Sequence, residues 1–133
     1  IDKAVRVAIM GAGNLGLALA DYPGFREEGF EIAAMFDTSP DKIGQASRSG
    51  VAIHDLRELR AVVRRLQITI AVIAVPAESA QAVVNAVVAA GLKAVLNFSP
   101  GGLQVPPDVK LKSVDLTVSL ESLSFFLAQG DGV

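Results

Sequence analysis

The segment from Val5 to Asp37 constrains the fold more than any other part of this chain. Val5, Val7, Ala8, Ile9 and Met10 form a mostly apolar run that halts at Gly11, as a strand buried on both faces does. Gly11-Ala12-Gly13-Asn14-Leu15-Gly16 then opens a helical stretch. A second apolar run, Glu31 to Phe36, ends at Asp37, 21 residues after Gly16. Strand, G-x-G-x-x-G, helix, strand and acid at this spacing make a βαβ unit suited to an adenine dinucleotide. Gly11 allows a tight turn, Gly13 admits a pyrophosphate close to the backbone, and Gly16 lets the helix lie against the strand. Asp37 stands where a carboxylate accepts from adenosine ribose hydroxyls and repels a 2′-phosphate. Thr38 and Ser39 bring no cation to offset that repulsion, so NADH/NAD+ is expected over the phosphorylated cofactor. Lys42 is near enough in sequence to touch the adenosine side, although a solvated lysine is the plainer account.

The remaining pattern predicts an α/β, Rossmann-like, doubly wound and mostly parallel sheet. At 133 residues the chain is long enough for one core. Its composition, 51% apolar but 5% aromatic, suits a Val/Ala/Leu/Ile interior of covered parallel strands. Tyr22-Pro23-Gly24-Phe25 reads as a turn, Ser39-Pro40 as the start of a short helix stopped by Gly44, and Val51-Ala52-Ile53 as a third strand. Asp55 is expected to cap the next helix, with Glu58 completing a capping box. Its apolar face is Leu56, Leu59, Val63 and Leu66, and Arg57, Arg60, Arg64 and Arg65 lie toward the solvated side. Ile68–Val75 reads as a central strand, Ala77–Ala90 as a helix ended by Gly91, and Lys93–Asn97 as a fifth strand. A proline-rich loop follows before extended structure resumes at Val109-Lys110-Leu111.

The terminal segment is different. Leu116, Leu120, Leu123 and Leu127 recur at helical spacing, while Val118, Phe125 and Phe126 make the other faces apolar as well. Such a helix must be buried. It is expected to pack on a second chain, as an exchanged element or across a two-fold axis, the alternative being that it covers its own sheet. This divides the chain into a nucleotide-binding unit, 1–115, and a dimerisation helix with its tail, 116–133. The Gly130-Asp131-Gly132 tail is expected to fray.

Several function classes are disfavoured. A net charge of −2 with no basic stripe argues against nucleic-acid binding by these residues. The absence of cysteine excludes thiol catalysis and thiolate metal sites, and no His/Asp/Glu cluster has metal-ligand spacing. No signal peptide and no apolar run of about 18 residues is visible, so a cytoplasmic protein without a membrane partner is expected. His54, the one histidine, precedes a helix cap and has no evident acid–base partner, and no other catalytic constellation stands out. Ligand contacts are expected from three loops at the carboxyl ends of strands: Gly11 to Gly16, Val75-Pro76-Ala77 and Asn97-Phe98-Ser99-Pro100. Asn97 and Ser99 either bond the nicotinamide half or merely satisfy loop backbone. Phe98 and Pro76 would be apolar walls.

From Val5 to Leu127 these residues resemble the C-terminal NADH-binding domain of the Rex redox-sensing transcriptional repressors. The resemblance is carried by the glycine segment with Ala18 to Phe25, by Phe36-Asp37 with Pro40 to Gly44, and by Val75 to Gln81. Ala90 to Lys93, Asn97 to Pro100 and Val114-Asp115-Leu116 extend it. It implies a non-enzymatic sensor of the NADH/NAD+ ratio, homodimeric through exchanged C-terminal helices, whose change of dimer arrangement releases DNA in the full-length repressor. It also implies that Tyr22 lies near the nicotinamide end and Asp115 near the partner's cofactor site. Rex proteins begin with a winged-helix domain, whereas this chain starts at the first strand, so DNA contact belongs to residues outside it. Ala74, where the family commonly has threonine, and Gly101-Gly102 in place of bulkier residues predict a looser nicotinamide loop. The alternatives are the nucleotide domain of a small NAD-dependent reductase or a coenzyme A-binding domain, in which Asp37 would sit badly beside a 3′-phosphate.

Overall fold

The computed structural model describes residues 4–130. Six strands, β1 (Val5–Met10), β2 (Phe30–Asp37), β3 (Ile53–Asp55), β4 (Ile70–Ile73), β5 (Ala94–Asn97) and β6 (Lys110–Ser113), form one sheet in the order β3-β2-β1-β4-β5-β6. Every pair is parallel, so the expected mostly parallel sheet is wholly so. The order reverses between β1 and β4, and their carboxyl ends make the crevice where such sheets hold ligands.

Period-two alternation divides the core between the two faces. Ala8, Met10, Ala34, Phe36, Ala71 and Ile73 point toward α3 (Leu59–Leu66) and α4 (Ala77–Ala89). Val7, Ile9, Met35, Ile53 and Val72 point the other way, toward α1 (Asn14–Ala20). A four-residue helix, α2 (Gly24–Glu27), stands where a plain turn was expected, because Pro23 already holds helical angles before it. The 38–44 segment departs in the opposite sense. Lys42 and Ile43 both donate to the Ser39 carbonyl, making one turn that Gly44 closes at φ +89° rather than a helix.

The third strand is displaced to Ile53–Asp55, where it pairs with Met35–Asp37. The predicted capping box does not form. Asp55 accepts the Arg57 N–H at 2.9 Å and its guanidinium at 2.7 Å, which holds residues 56–58 in a 3-10 turn. Glu58 faces His54 instead, at 3.7 Å. Between α1 and β3, Asp21 accepts from the Ser49 hydroxyl and from the N–H groups of Ser49 and Arg48. The Ser49 hydroxyl is the main reason its carboxyl is lowered to about 2.

The final helix, α5 (Leu116–Gly130), buries none of its residues against the rest of the chain. Leu116, Val118, Leu120, Leu123, Phe125, Phe126 and Leu127 are all exposed, so within one chain α5 does not cover its own sheet. Residues 131–133 of the expected tail lie outside the described residues.

The α1–β1 junction is closed by two glycines. A methyl group on Gly16 would stand 1.9 Å from the Gly11 carbonyl oxygen, and one on Gly11 would stand 2.4 Å from that of Ala74, at a backbone φ of +109°. Gly13 has open space around its Cα. Gly16→Ala is therefore expected to destabilise the domain by about 3 kcal/mol, an overpacking cost against rigid backbone. Gly13→Ala should lower the unfolding free energy by no more than about 1 kcal/mol, the scale of an N-cap change. Parallel thermal melts of the two variants check this, and equal midpoints would contradict it.

Candidate functional site

The loops at the carboxyl edge are brought flush by bonds that continue the ladder one residue past each strand. Gly11 N–H donates to the Phe36 carbonyl at 2.8 Å, Ala74 to Met10 at 2.8 Å, Phe98 to Ile73 at 2.9 Å and Val114 to Asn97 at 2.8 Å. One edge thus carries the glycine segment, Val75-Pro76, Asn97 to Ser99 and Asp115. Gly13 is the N-cap of α1 and has no side chain to occupy the free N–H groups, while Asn14 and Leu15 are exposed in the first turn. That leaves donors open toward the crevice, the arrangement an anion requires.

Asp37 meets the glycine segment directly. Its Oδ2 accepts the Ala12 N–H at 2.8 Å, and its Oδ1 accepts those of Thr38 at 2.7 Å and Ser39 at 2.8 Å. The carboxylate is held in one orientation at the end of β2. Beyond it lies a shallow cleft of about 570 Å³ bordered by Thr38, Pro40, Ile43, Asp55, Leu56 and Arg57. Lys42, taken above as a solvated side chain, is half-buried and donates from Nζ to the Ala12 carbonyl at 3.1 Å. Spacing alone could not find this contact, because it depends on the 38–44 segment being a turn.

On the other side of the crevice Asn97 is fully buried. Its Nδ2 donates to the Ser99 carbonyl at 3.0 Å and its Oδ1 accepts the Ser99 N–H at 2.9 Å. Ser99, also buried, donates its hydroxyl to the Val75 carbonyl. Asn97 thus braces its own loop, with a further contact from Nδ2 to the Ser113 hydroxyl at 3.4 Å, and Ser99 joins that loop to the β4 loop. Of the two roles open to Asn97, the one these bonds display is satisfying loop backbone. Pro76 is exposed as the N-cap of α4, and Val75 and Phe98 are half-buried. Asp115 follows β6 on the same edge and accepts the Val118 N–H at 3.1 Å, capping α5.

Tyr22 is elsewhere. It follows the last turn of α1, a helix about 10 Å long that starts at the glycine segment and runs back along the sheet. Its ring is exposed and meets Phe25 edge-on at 4.9 Å, over a Gly24 whose missing side chain leaves room for it. Within one chain it is not brought to the other site residues.

Sequence reasoning missed the state of the sheet's α1 face. Helix α1 packs on part of β1 and β2, but among the described residues no helix lies over β4 to β6 on this face. The result is an apolar cavity of about 370 Å³ running from Phe25 and Phe30 past Val72 and Leu96 to Phe98, with Lys110 and Lys112 on its outer rim. The signal was the connection between β5 and β6, which contains three prolines and no helix.

Among known proteins, the model of the CoA binding domain family matches residues 2–101. The chain belongs to that family. Within it, the expected resemblance to Rex is borne out. The chain is 48% identical over 128 residues to the redox-sensing transcriptional repressor Rex of Syntrophomonas wolfei, covering 96% of this chain and 60% of that protein. Two solved structures are each 37% identical to it over 98% of its length. RSP, a Rex-family repressor, in complex with β-NADH superposes with a TM-score of 0.88, with 63% of that chain covered. RSP in complex with β-NAD+ and operator DNA gives 0.90, with 59% covered. This CoA-binding-domain protein spans about 60% of the length of the curated relatives it matches. These relatives are repressors, and the expectation that the chain is not an enzyme rests on them.

Replacing Asn97 by alanine should cost about 2–3 kcal/mol, since it opens a cavity and orphans both the N–H and the carbonyl of Ser99. Urea denaturation of the variant checks this, and a cost under about 0.5 kcal/mol would mean that the buried amide does not fix the loop.

Proposed function

We propose that this chain is the NADH-binding, redox-sensing part of a Rex-type transcriptional repressor, working in the cytoplasm. The observation that carries the reading is the Asp37 carboxylate fixed against the glycine segment at the reversal of strand order, in a chain so similar to Rex. The pyrophosphate would lie on the N–H groups of Gly13, Asn14, Leu15 and Gly16 at the start of α1, with Gly11 and Ala12 shaping the turn beneath it and the adenosine ribose on Asp37. The nicotinamide would reach the β4 and β5 loops, against Val75, Pro76 and Phe98, with Asn97 and Ser99 setting that wall and Asp115 beside it. A sensor needs no chemistry. It needs a difference in binding free energy between the reduced and oxidised cofactor, and only that difference moves an equilibrium. The oxidised ring is cationic, and an apolar wall penalises it by desolvation. The reductase and coenzyme A readings are not favoured, since the relatives are repressors and a 3′-phosphate would face Asp37.

The assembly is a homodimer through residues 116–133, distinct from the nucleotide-binding unit at 1–115. Support comes from two surfaces of matching chemistry: a helix apolar on all sides with no seat in its own chain, and an apolar cavity on the sheet with no helix over it. Each leucine or phenylalanine removed from water there contributes about 1.5–3 kcal/mol. On this reading α5 of one copy lies in the cavity of the other and reaches Phe98. NADH would draw two subunits together about these helices, and DNA release would follow through winged-helix domains of the full-length repressor. Tyr22, far from the glycine segment in its own chain, would have to act at this subunit seam.

Titration calorimetry should show NADH binding at least about tenfold more tightly than NAD+, a difference of about 1.4 kcal/mol. Equal affinities would remove the sensing mechanism even if both cofactors bind. Sedimentation equilibrium should give a dimer for the parent chain and a folded monomer for Leu123→Glu/Phe126→Glu. Parent chain that stays monomeric at tens of micromolar, with or without NADH, would refute the assembly.

A further inference from the structure

Asp37 and Lys42 grip the same residue from opposite sides: the carboxylate takes the N–H of Ala12 and the ammonium donates to its carbonyl. Three of the roughly four acceptor positions of the Asp37 carboxylate are filled, by Ala12, Thr38 and Ser39. About one remains for a ribose that offers two hydroxyls. Lys42 is in the complementary condition. Its ammonium has three donors, one of them on a neutral carbonyl, and among the described residues no carboxylate lies within 4.0 Å of it. A half-buried cation with two free donors therefore stands across Ala12 from the carboxylate, beyond ion-pair distance of it. Lys42 thus brings to the neighbourhood of Asp37 a cation that Thr38 and Ser39 do not supply.

We infer that Lys42 is a second determinant of cofactor choice, donating to the adenosine ribose hydroxyl that Asp37 cannot accept from. Exclusion of a 2′-phosphate rests on the Asp37 carboxylate alone. This assignment depends on the NADH-binding reading above and adds a residue to it. It also has a sharper consequence. Without that carboxylate, the N–H groups of Ala12, Thr38 and Ser39 lose their acceptor beside a lysine, and backbone donors converging with a cation are what a phosphate monoester requires. The site holds a latent 2′-phosphate pocket that a single carboxylate keeps shut.

The test uses fluorescence titration of the parent chain, Lys42→Met, Asp37→Ser and the double variant, each with NADH, NAD+ and NADPH. Lys42→Met should weaken NADH and NAD+ by the same factor, about tenfold, because the contact is remote from the redox-active ring. Asp37→Ser should gain NADPH binding about tenfold over the parent, and adding Lys42→Met should abolish the gain. Lys42→Met binding NADH like the parent would overturn the assignment, and this single variant remains decisive if Asp37→Ser fails to fold. An NADPH gain that survives loss of Lys42 would also overturn it. Failure of the parent to bind NADH, read before any variant, would instead sink the functional reading and this assignment with it.

Discussion

Among the described glycines, Gly16 is the one packed most tightly against another backbone. Gly16 lies so near the Gly11 carbonyl that no side chain fits between them, and this brings the first turn of α1 down onto the end of β1. The rest of the crevice depends on it. With α1 seated, the Gly11 N–H continues the ladder to Phe36 and Ala12 falls opposite the end of β2, where the Asp37 carboxylate accepts its N–H. A larger residue at position 16 would lift the helix and separate donors from acceptor together. The glycine segment and the acid 21 residues later are thus one structural unit, although they belong to different strands.

Most of this architecture could be read from the order of residues, because parallel α/β units advertise themselves. Continuous apolar strands, a glycine turn and an acid at the next strand end are local signals, and each survived in the structure to within a few residues. The differences arose where long-range partners override local preference. Ser39-Pro40 is a good helix start, but the chain must turn back for Gly44 to bond the Ile53 carbonyl, and one turn is all the space allows. Asp55 and Glu58 have capping-box spacing, but Arg57 takes both the carboxylate and the geometry. The site divides in the same way. The position of Asp37 was legible because spacing fixes it, whereas Lys42 depends on a turn that local preference predicts wrongly, and the environment of Asn97 depends on its neighbour loop. The apolar cavity was least visible, since it is defined by a helix that is not there.

The apolar terminal helix and the half-covered sheet become consistent when taken together. A parallel sheet needs both faces covered, and here the crossover from β5 to β6 contains no helix to contribute. A chain could remedy this by folding its last helix back over β4 to β6. Asp115 instead caps α5 at the carboxyl edge, and the helix leaves without touching the cavity. On the proposed reading that surface is kept for a second copy, which would supply the missing helix and have its own cavity filled in return, closing the assembly at two.

On the proposed reading, that exchange would give the redox state of a bound ring a route to the whole protein. Phe98 belongs to both the β5 loop and the cavity, so on the proposed reading a partner helix lying in the cavity ends beside the nicotinamide. A cation at that point costs free energy in proportion to how well water is excluded, and water is excluded only while the partner helix is seated. The neutral ring carries no such penalty. Charge on the ring and seating of the helix then oppose each other without any side chain changing protonation. By reciprocity, a change in subunit arrangement must alter cofactor affinity by the same factor that the cofactor alters the arrangement. On that reading the strength of the signal would be set by how apolar the shared wall is, and its specificity for the cofactor by the separate charged site at Asp37, so the two could be tuned independently.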